Sequence, residues 1–260
     1  MATTLQGTTV LVTGAGGGLG KVIATAYLDA GANVAVCDIN EERLASARTE
    51  LEGTGRFAAF NTDITNEEAV NKLVADVVAK FGRLDILVSN AGMTDKFDPV
   101  GSVTKETWDR IINLNLTGSF LVFKAGVNAM EKQSPPGGTI IQIGSTASYH
   151  GMSSGVAYAA SKHGVAALVK STAGYYAAKG IYAIGLLLGG MVDTNIQDSF
   201  AVLGGFNTEA YAQSVSANFK PEMAIKTKDV AKYCVFLADR GIAESSNGSL
   251  INFNKNYPNA

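Results

Sequence analysis

Apolar, β-branched runs alternate with longer stretches of helical period along the whole chain. Strand-like runs occupy Thr8–Thr13, Asn33–Asp38, Phe57–Phe60, Leu84–Ser89, Thr139–Gly144, Tyr182–Leu188 and Ser249–Phe253. Between them, periodicity predicts helices at Gly18–Ala30, Glu41–Leu51, Glu67–Phe81, Lys105–Glu131, Ser153–Lys179 and Lys228–Asp239. Near-continuous apolar strands alternating with amphipathic helices are the pattern of βαβ units around a parallel sheet buried on both faces. The prediction is an α/β, doubly wound, seven-stranded parallel sheet of Rossmann type, with helices on both faces and a single domain over 1–260. Gly31, Gly82 and Gly180 stand where helices give way to turns. The alternation breaks only over 190–227. An irregular insertion of that length in a compact domain is usually functional, and it is read as a substrate lid.

Composition narrows the class of partner. Hydrophobic residues make up 47% and charged residues 17% of 260, enough for a sizeable core. A net charge of -2 and a pI near 5.7 leave no electrostatic footprint for nucleic acid or an anionic membrane surface, so the expected partner is a small molecule. The two cysteines, Cys37 and Cys234, lie in apolar stretches and read as packed thiols in a reducing compartment. The opening MATTLQGTTVLVTG has neither the basic start nor the long apolar run of a secretory signal. The longest apolar candidate for a span, Ile181 to Val192, falls short of the ~20 residues a membrane requires. The reading is a cytoplasmic protein.

Strand one runs into TGAGGGLG, Thr13 to Gly20, and then into a helix. Glycines let the backbone approach a pyrophosphate, and the first-turn N–H groups of the helix point at it. The same turn could equally be structural punctuation. Spacing excludes rivals: G-x-G-x-x-G fails at Leu19, and a phosphate-binding G-x-x-x-x-G-K-[ST] loop fails at Ala15 and Val22. A G-x-S-x-G string at Gly151–Gly155 does not sit at a strand-to-helix elbow, so it does not mark a hydrolase nucleophile. His150 and His163 lack Cys or carboxylate partners at metal spacing, and no metal is expected.

Four motifs occur in order at strand ends: Thr13-Gly14-x-x-x-Gly18-x-Gly20, Asn90-Ala91-Gly92, Ser145, and Tyr158-x-x-x-Lys162. Together they resemble the short-chain dehydrogenase/reductase superfamily over nearly the whole chain. The resemblance implies NAD(P)-dependent chemistry on CH–OH groups and a catalytic set of Asn115, Ser145, Tyr158 and Lys162. It also implies a cofactor-binding set of Gly14, Gly18, Leu19, Gly20, Asp38, Asp63, Asn90, Ala91, Gly92, Tyr158, Lys162 and Thr194. Tyr158 and Lys162, four apart, share one helix face. A phenol with pKa ~10 needs about 4 kcal/mol of differential stabilisation to titrate near 7, and one ammonium at ~4 Å supplies roughly that at an effective dielectric near 20. Ser145 would hold the substrate oxygen, with Thr146 and Ser148 as rival turn hydroxyls. Asn115 resembles the family's helix asparagine, whose carbonyl can hold a water leading to Lys162; Asn113 is its rival.

Asp38, at the end of strand two, would accept hydrogen bonds from ribose hydroxyls and repel a 2′-phosphate, which favours NAD(H) over NADP(H); the alternative is a helix cap. Asp63 matches an adenine contact or else is a turn aspartate. Thr194 corresponds to a carboxamide-binding threonine, in a register open by one residue. Two places depart from the family: Gly189-Gly190 stands where Pro-Gly is common, which predicts a loosened lid, and Asn254-Lys255-Asn256 stands where Asp-Gly-Gly is frequent. In the lid, Met191, Phe200, Leu203, Phe206, Tyr211, Phe219 and Met223 read either as packing or as the wall of an apolar site. The reading is an oxidoreductase that moves a hydride between NAD(H) and a largely apolar secondary alcohol or ketone. A dinucleotide-binding redox sensor without turnover and a sugar-nucleotide epimerase are the alternatives. The two long helices, rich in small residues, fit a homo-oligomer, tetramer or dimer, as in many relatives.

Overall fold

The computed structural model describes residues 4–258. Its seven strands are β1 (Thr9–Thr13), β2 (Asn33–Asp38), β3 (Phe57–Asn61), β4 (Ile86–Ser89), β5 (Gly138–Ser145), β6 (Ile181–Leu188) and β7 (Leu250–Phe253). They form one sheet in the order β3-β2-β1-β4-β5-β6-β7. Every pairing is parallel. The seven-stranded, doubly wound sheet expected from the alternation is therefore present. β1 and β6 are buried along their full length, because helices cover both faces and no strand position there meets water.

Helices α1 (Gly18–Asp29) and α2 (Glu41–Leu51) pack on one face, where Ile23, Tyr27 and Leu44 join Val10, Val12 and Val34. The opposite face takes α3 (Glu67–Phe81), through Val70, Leu73 and Val77 against Leu11, Ala35 and Leu87. Asn40 and Asn66 cap α2 and α3 by accepting the N–H groups of Arg43 and Ala69. These caps satisfy donors that the helices cannot. No described helix is long and apolar enough to cross a membrane.

The long helix expected over Lys105–Glu131 is broken. It divides into α4 (Lys105–Ile112), a π-helical turn at Asn113–Gly118, and α5 (Ser119–Lys132). A π-turn inserts one residue into the helix without changing the apolar period on either side, so periodicity alone cannot see it. The next helix, α6 (Val156–Tyr176), starts slightly later than expected. Residues 190–227 do leave the sheet, but they are not irregular throughout. They carry α7 (Asp198–Val202), α8 (Thr208–Gln213) and short 3₁₀ turns. The chain then returns through α9 (Thr227–Phe236), whose Val230 and Cys234 pack on the α1 side of the sheet, and through the unforeseen α10 (Arg240–Ser245).

Strand order reverses where β1 lies between β2 and β4. In an open parallel sheet, that reversal opens a crevice at the carboxyl ends of the strands. Thr13, Asp38, Ser89 and Ser145 all terminate strands there.

Candidate active site

A cavity of about 1770 Å³ occupies this crevice, lined by Gly14, Gly17, Leu19, Gly20 and Asp38 as well as by Ser145, Tyr158 and Lys162. The loop is shaped by absent side chains. Gly14 has φ of +62°, and a Cβ there would lie 2.7 Å from Ala91 Cα. At Gly20 a Cβ would lie 2.4 Å from the Gly14 carbonyl oxygen. α1 begins at Gly18 behind Gly17, with no side-chain cap, so its first-turn N–H groups remain available for an anion. Leu19 and Gly20 line the cavity beside them. Asn90 clamps the loop from β4: its side-chain amide donates to the Thr13 carbonyl at 2.9 Å and to that of Gly14 at 3.1 Å. The buried Thr13 hydroxyl accepts the N–H groups of Asn90 and Ala91 at 3.0 and 3.1 Å. Together these residues form a rigid cradle of backbone amides, the kind of donor set that suits a dinucleotide pyrophosphate.

Asp38 does not cap α2, because Asn40 does. Its two oxygens instead accept the N–H groups of Gly16 and Asn40, both at 3.0 Å, and so present a fixed carboxylate to the cavity. Asp63 also lines the cavity, but it closes a turn by accepting the N–H and hydroxyl of Thr65 at 2.9 and 2.8 Å. Thr194 reaches the cavity wall. Its neighbour Asn195 lies directly on the glycine loop, where a Cβ on Gly18 would meet Asn195 Oδ1 at 2.1 Å.

Asn115 sits in the π-turn and is 1% exposed, whereas Asn113 is exposed. The Asn115 side chain accepts the Met93 N–H at 2.9 Å, and its amide donates to the Met93 carbonyl at 2.9 Å and to Ser161 Oγ at 3.1 Å. Its own carbonyl accepts the Ser119 hydroxyl at 2.7 Å. Asn115 therefore ties the turn after Asn90-Ala91-Gly92 to α6, and a Cβ on Gly92 would stand 3.1 Å from its Oδ1. Among the candidate serines, Ser145 faces the cavity, while the Ser148 hydroxyl accepts the Ser145 N–H at 3.3 Å.

Lys162 is buried at 5% exposure, and its Nζ donates to the Ile143 carbonyl at 3.0 Å. The same nitrogen stands 5.5 Å from the centroid of the Tyr158 ring. No carboxylate pairs with it among the described residues. Burial pulls the ammonium down to about 8. Burial likewise pushes the Tyr158 phenol up to about 12, while the nearby Ser145 hydroxyl acts in the opposite direction and the charge of Asp95 adds to the rise. The expected shift to near 7 rested on an ammonium at ~4 Å, whereas Lys162 Nζ stands 5.5 Å from the ring centroid and the partial burial of the ring acts against ionisation. In this state the phenol is a proton donor.

At the two family departures, Gly189-Gly190 leaves no room for side chains: Cβ atoms there would lie 2.8 Å from Asn254 Cα and 2.4 Å from the Phe219 ring. The Gly189 N–H also donates to Phe253, a bond proline could not make. Lys255 and Asn256 adopt φ of 51° and 58°, the left-handed backbone that glycine takes without strain. Three residues with clear positions in the site were not foreseen. Asn195 and Arg43 pack at the glycine loop, with Arg43 Nη2 held by Asp198 at 2.5 Å, and Asp95 binds the start of α6.

The sequence pattern of the short chain dehydrogenase family matches residues 8–201. The chain belongs to that family. A short chain dehydrogenase/reductase of Colletotrichum higginsianum, dpchG, is 42% identical over 253 residues, covering 96% of this chain and 93% of its own. A 3beta-hydroxysteroid dehydrogenase of Mediterraneibacter gnavus is 37% identical over 173 residues, 66% of this chain and 62% of its own. The crystal structure of 3-ketoacyl-(acyl-carrier-protein) reductase from Brucella melitensis, complexed with NADH, superposes with a TM-score of 0.82 at 25% identity, covering 97% of this chain and 98% of that one. The short-chain dehydrogenases are oxidoreductases that bind a nicotinamide dinucleotide, and the cradle and crevice described above fit one.

Proposed function

We propose that the protein interconverts a largely apolar secondary alcohol and its ketone with NAD(H), using Tyr158 as the acid and base. What supports this reading is that Tyr158, Lys162 and Ser145 line one cavity together with the glycine loop, with Lys162 Nζ 5.5 Å from the Tyr158 ring centroid. Bound nicotinamide dinucleotide supplies or accepts the hydride. Ser145 holds the substrate oxygen against Tyr158, and the phenol gives that oxygen its proton in reduction or takes it back in oxidation. Lys162 keeps a positive charge beside the phenol and stabilises the phenolate as it forms. Asn115 acts through its side chain, fixing the floor of the site relative to α6.

Asp38 supports the preference for NAD(H), since its anchored carboxylate would repel a 2′-phosphate. Arg43, the cation beside it, is already engaged by Asp198. Residues 190–227 act as a lid. Phe206 and Tyr211 meet Phe97, and Phe200 meets Phe206, in an aromatic cluster lining the cavity with centroids 4.8 to 5.5 Å apart, which supports an apolar substrate. The named activity of the steroid dehydrogenase relative fits the same class. Free, buried Cys37 and Cys234 support a reducing, cytoplasmic setting. Exposed Phe120 on α5 and Tyr175 on α6 support assembly into a homo-oligomer.

The test is a panel of ketones, neutral apolar against carboxylated and phosphorylated, scored by kcat/KM with NADH and NADPH. Neutral cyclic or aromatic ketones are expected to win, and NADH is expected to exceed NADPH by ~10-fold or more. A preference for anionic substrates, or for NADPH, overturns the corresponding half of the proposal.

A further inference from the structure

α6 carries both Tyr158 and Lys162, yet its N-cap is Gly155, which has no side chain to close the first turn. The closing group comes from the loop after β4. Asp95, 1% exposed, accepts the Gly155 N–H through Oδ1 at 2.9 Å and the Tyr158 N–H through Oδ2 at 2.8 Å. Its Oδ1 also takes the Phe97 N–H at 3.1 Å, which holds Phe97 at φ of 70°. Gly155 leaves room for this carboxylate, since a Cβ there would stand 2.5 Å from Asp95 Oδ2. The neighbouring Asp98 carbonyl takes the Val156 N–H at 3.0 Å. The same loop reaches the lid: Asn207 donates its N–H to the Lys96 carbonyl at 2.9 Å and its amide to Asp98 Oδ1 at 2.8 Å.

We infer that Asp95 is a positioning residue for Tyr158: its buried carboxylate fixes the helix turn that carries the phenol and sets a negative charge against the phenolate. The inference rests on the reading of Tyr158 as the acid and base. Three backbone donors on two oxygens match a carboxylate in its ionised form and a helix N-terminus favours that charge, against the burial and the nearby Asp98 that push its pKa above the usual carboxylate range. The charge then makes ionisation of the nearby phenol harder, in line with its part in raising the Tyr158 pKa.

Other charges around the phenol are accounted for. On α6, Lys162 opposes Asp95, and His163 Nδ1 lies 2.9 Å from the Ala159 carbonyl oxygen. On the loop, Lys96 offsets Asp98 at 3.6 Å. α4 offers Trp108 and Ile111 to the Tyr158 cluster, with Asp109 paired to Lys105 and Arg110 bonded to the Val202 carbonyl. The π-turn contributes neutral Asn115 and β5 neutral Ser145. In the lid, Asp198 is held by Arg43, Asp193 by Thr227, and the Tyr211 hydroxyl donates to Ser216. Asp95 is thus the carboxylate whose removal alters the field at the phenol.

The experiment compares Asp95→Asn, Asp95→Ala and Tyr158→Phe with the parent enzyme, measuring kcat/KM for alcohol oxidation against pH together with NADH binding. Both Asp95 variants are expected to move the ionisation limb down by about one pH unit. Asp95→Ala should lower kcat by ~10-fold and Asp95→Asn by less, since an amide oxygen still accepts one of the capping bonds. NADH affinity should stay within ~2-fold, because the cradle is untouched. Tyr158→Phe separates the two claims. If it abolishes turnover while the limb stays in place in both Asp95 variants, the role of Asp95 is overturned and the function stands. If Tyr158→Phe retains turnover, the function itself is overturned. Should Asp95→Ala not fold, Gly155→Ala displaces the same carboxylate: a lower kcat with a shifted limb supports the inference, and an unchanged profile overturns it.

Discussion

Tyr158→Phe is expected to lower turnover by ~10² or more while NADH binding persists. The substitution removes one oxygen and leaves the ring that packs with Met93, Ile111 and Ala157, so the fold has no reason to respond. Helix α6 keeps its cap, because Asp95 binds the backbone of residue 158 rather than its side chain. What disappears is a phenol whose acidity its surroundings control, pushed up to about 12 by burial. Ketone reduction needs a proton at the moment the hydride arrives, and Ser145 is too weak an acid to replace the phenol. Steady-state rates in both directions, with a fluorescence titration of NADH, check the result. Turnover within about threefold of the parent would show that the proton comes from elsewhere.

Lys162→Met is expected to be comparably damaging. At 5.5 Å from the phenol ring, an effective dielectric near 20 gives an attraction of about 3 kcal/mol, close to 10²-fold in rate. Methionine suits the buried position and leaves no charge behind, and the Ile143 carbonyl keeps a second donor in the Gln142 amide at 3.0 Å. The pH profile separates an electrostatic role from a steric one. Burial holds the Lys162 ammonium down to about 8. It is therefore charged below that value, and its help to the phenolate fades as pH rises through it. Alcohol oxidation by the parent should gain with pH and then flatten as that proton leaves. The methionine variant should be slower below about 8, show no such flattening, and approach the parent as pH rises above it. A uniform loss with an unaltered profile would assign Lys162 to packing alone.

Much of this site is legible before any coordinates. Buried parallel strands read as continuous apolar runs, so β1, β2, β5 and β6 emerge directly, and with them the strand ends on which Thr13, Asp38 and Ser145 must lie. Tyr158 and Lys162 share a helix face because of spacing alone. What remains hidden is whatever depends on contact between distant segments. The cap of α6 arrives from Asp95, and only the bare glycine at position 155 hints that a cap must come from elsewhere. The π-turn at Asn113–Gly118 preserves the hydrophobic period on both sides and leaves no mark. Gly189-Gly190 reads locally as flexibility, and its close packing against Phe219 and Asn254 is set by distant segments. The phenol's acidity is the largest such gap, because proximity of a lysine can be read from spacing while the depth of burial cannot.

The central claim is that charges in the crevice bring a partly buried phenol into use as an acid and base. Selective isotope labelling of tyrosine, with the Tyr158→Phe protein to assign the signal, lets the phenol be titrated by NMR with and without NAD⁺. The account predicts a value near the raised one, about 12, in the free protein and a fall to below ~10 once the oxidised cofactor is bound. A phenol that stays near its free-protein value in both states would contradict it.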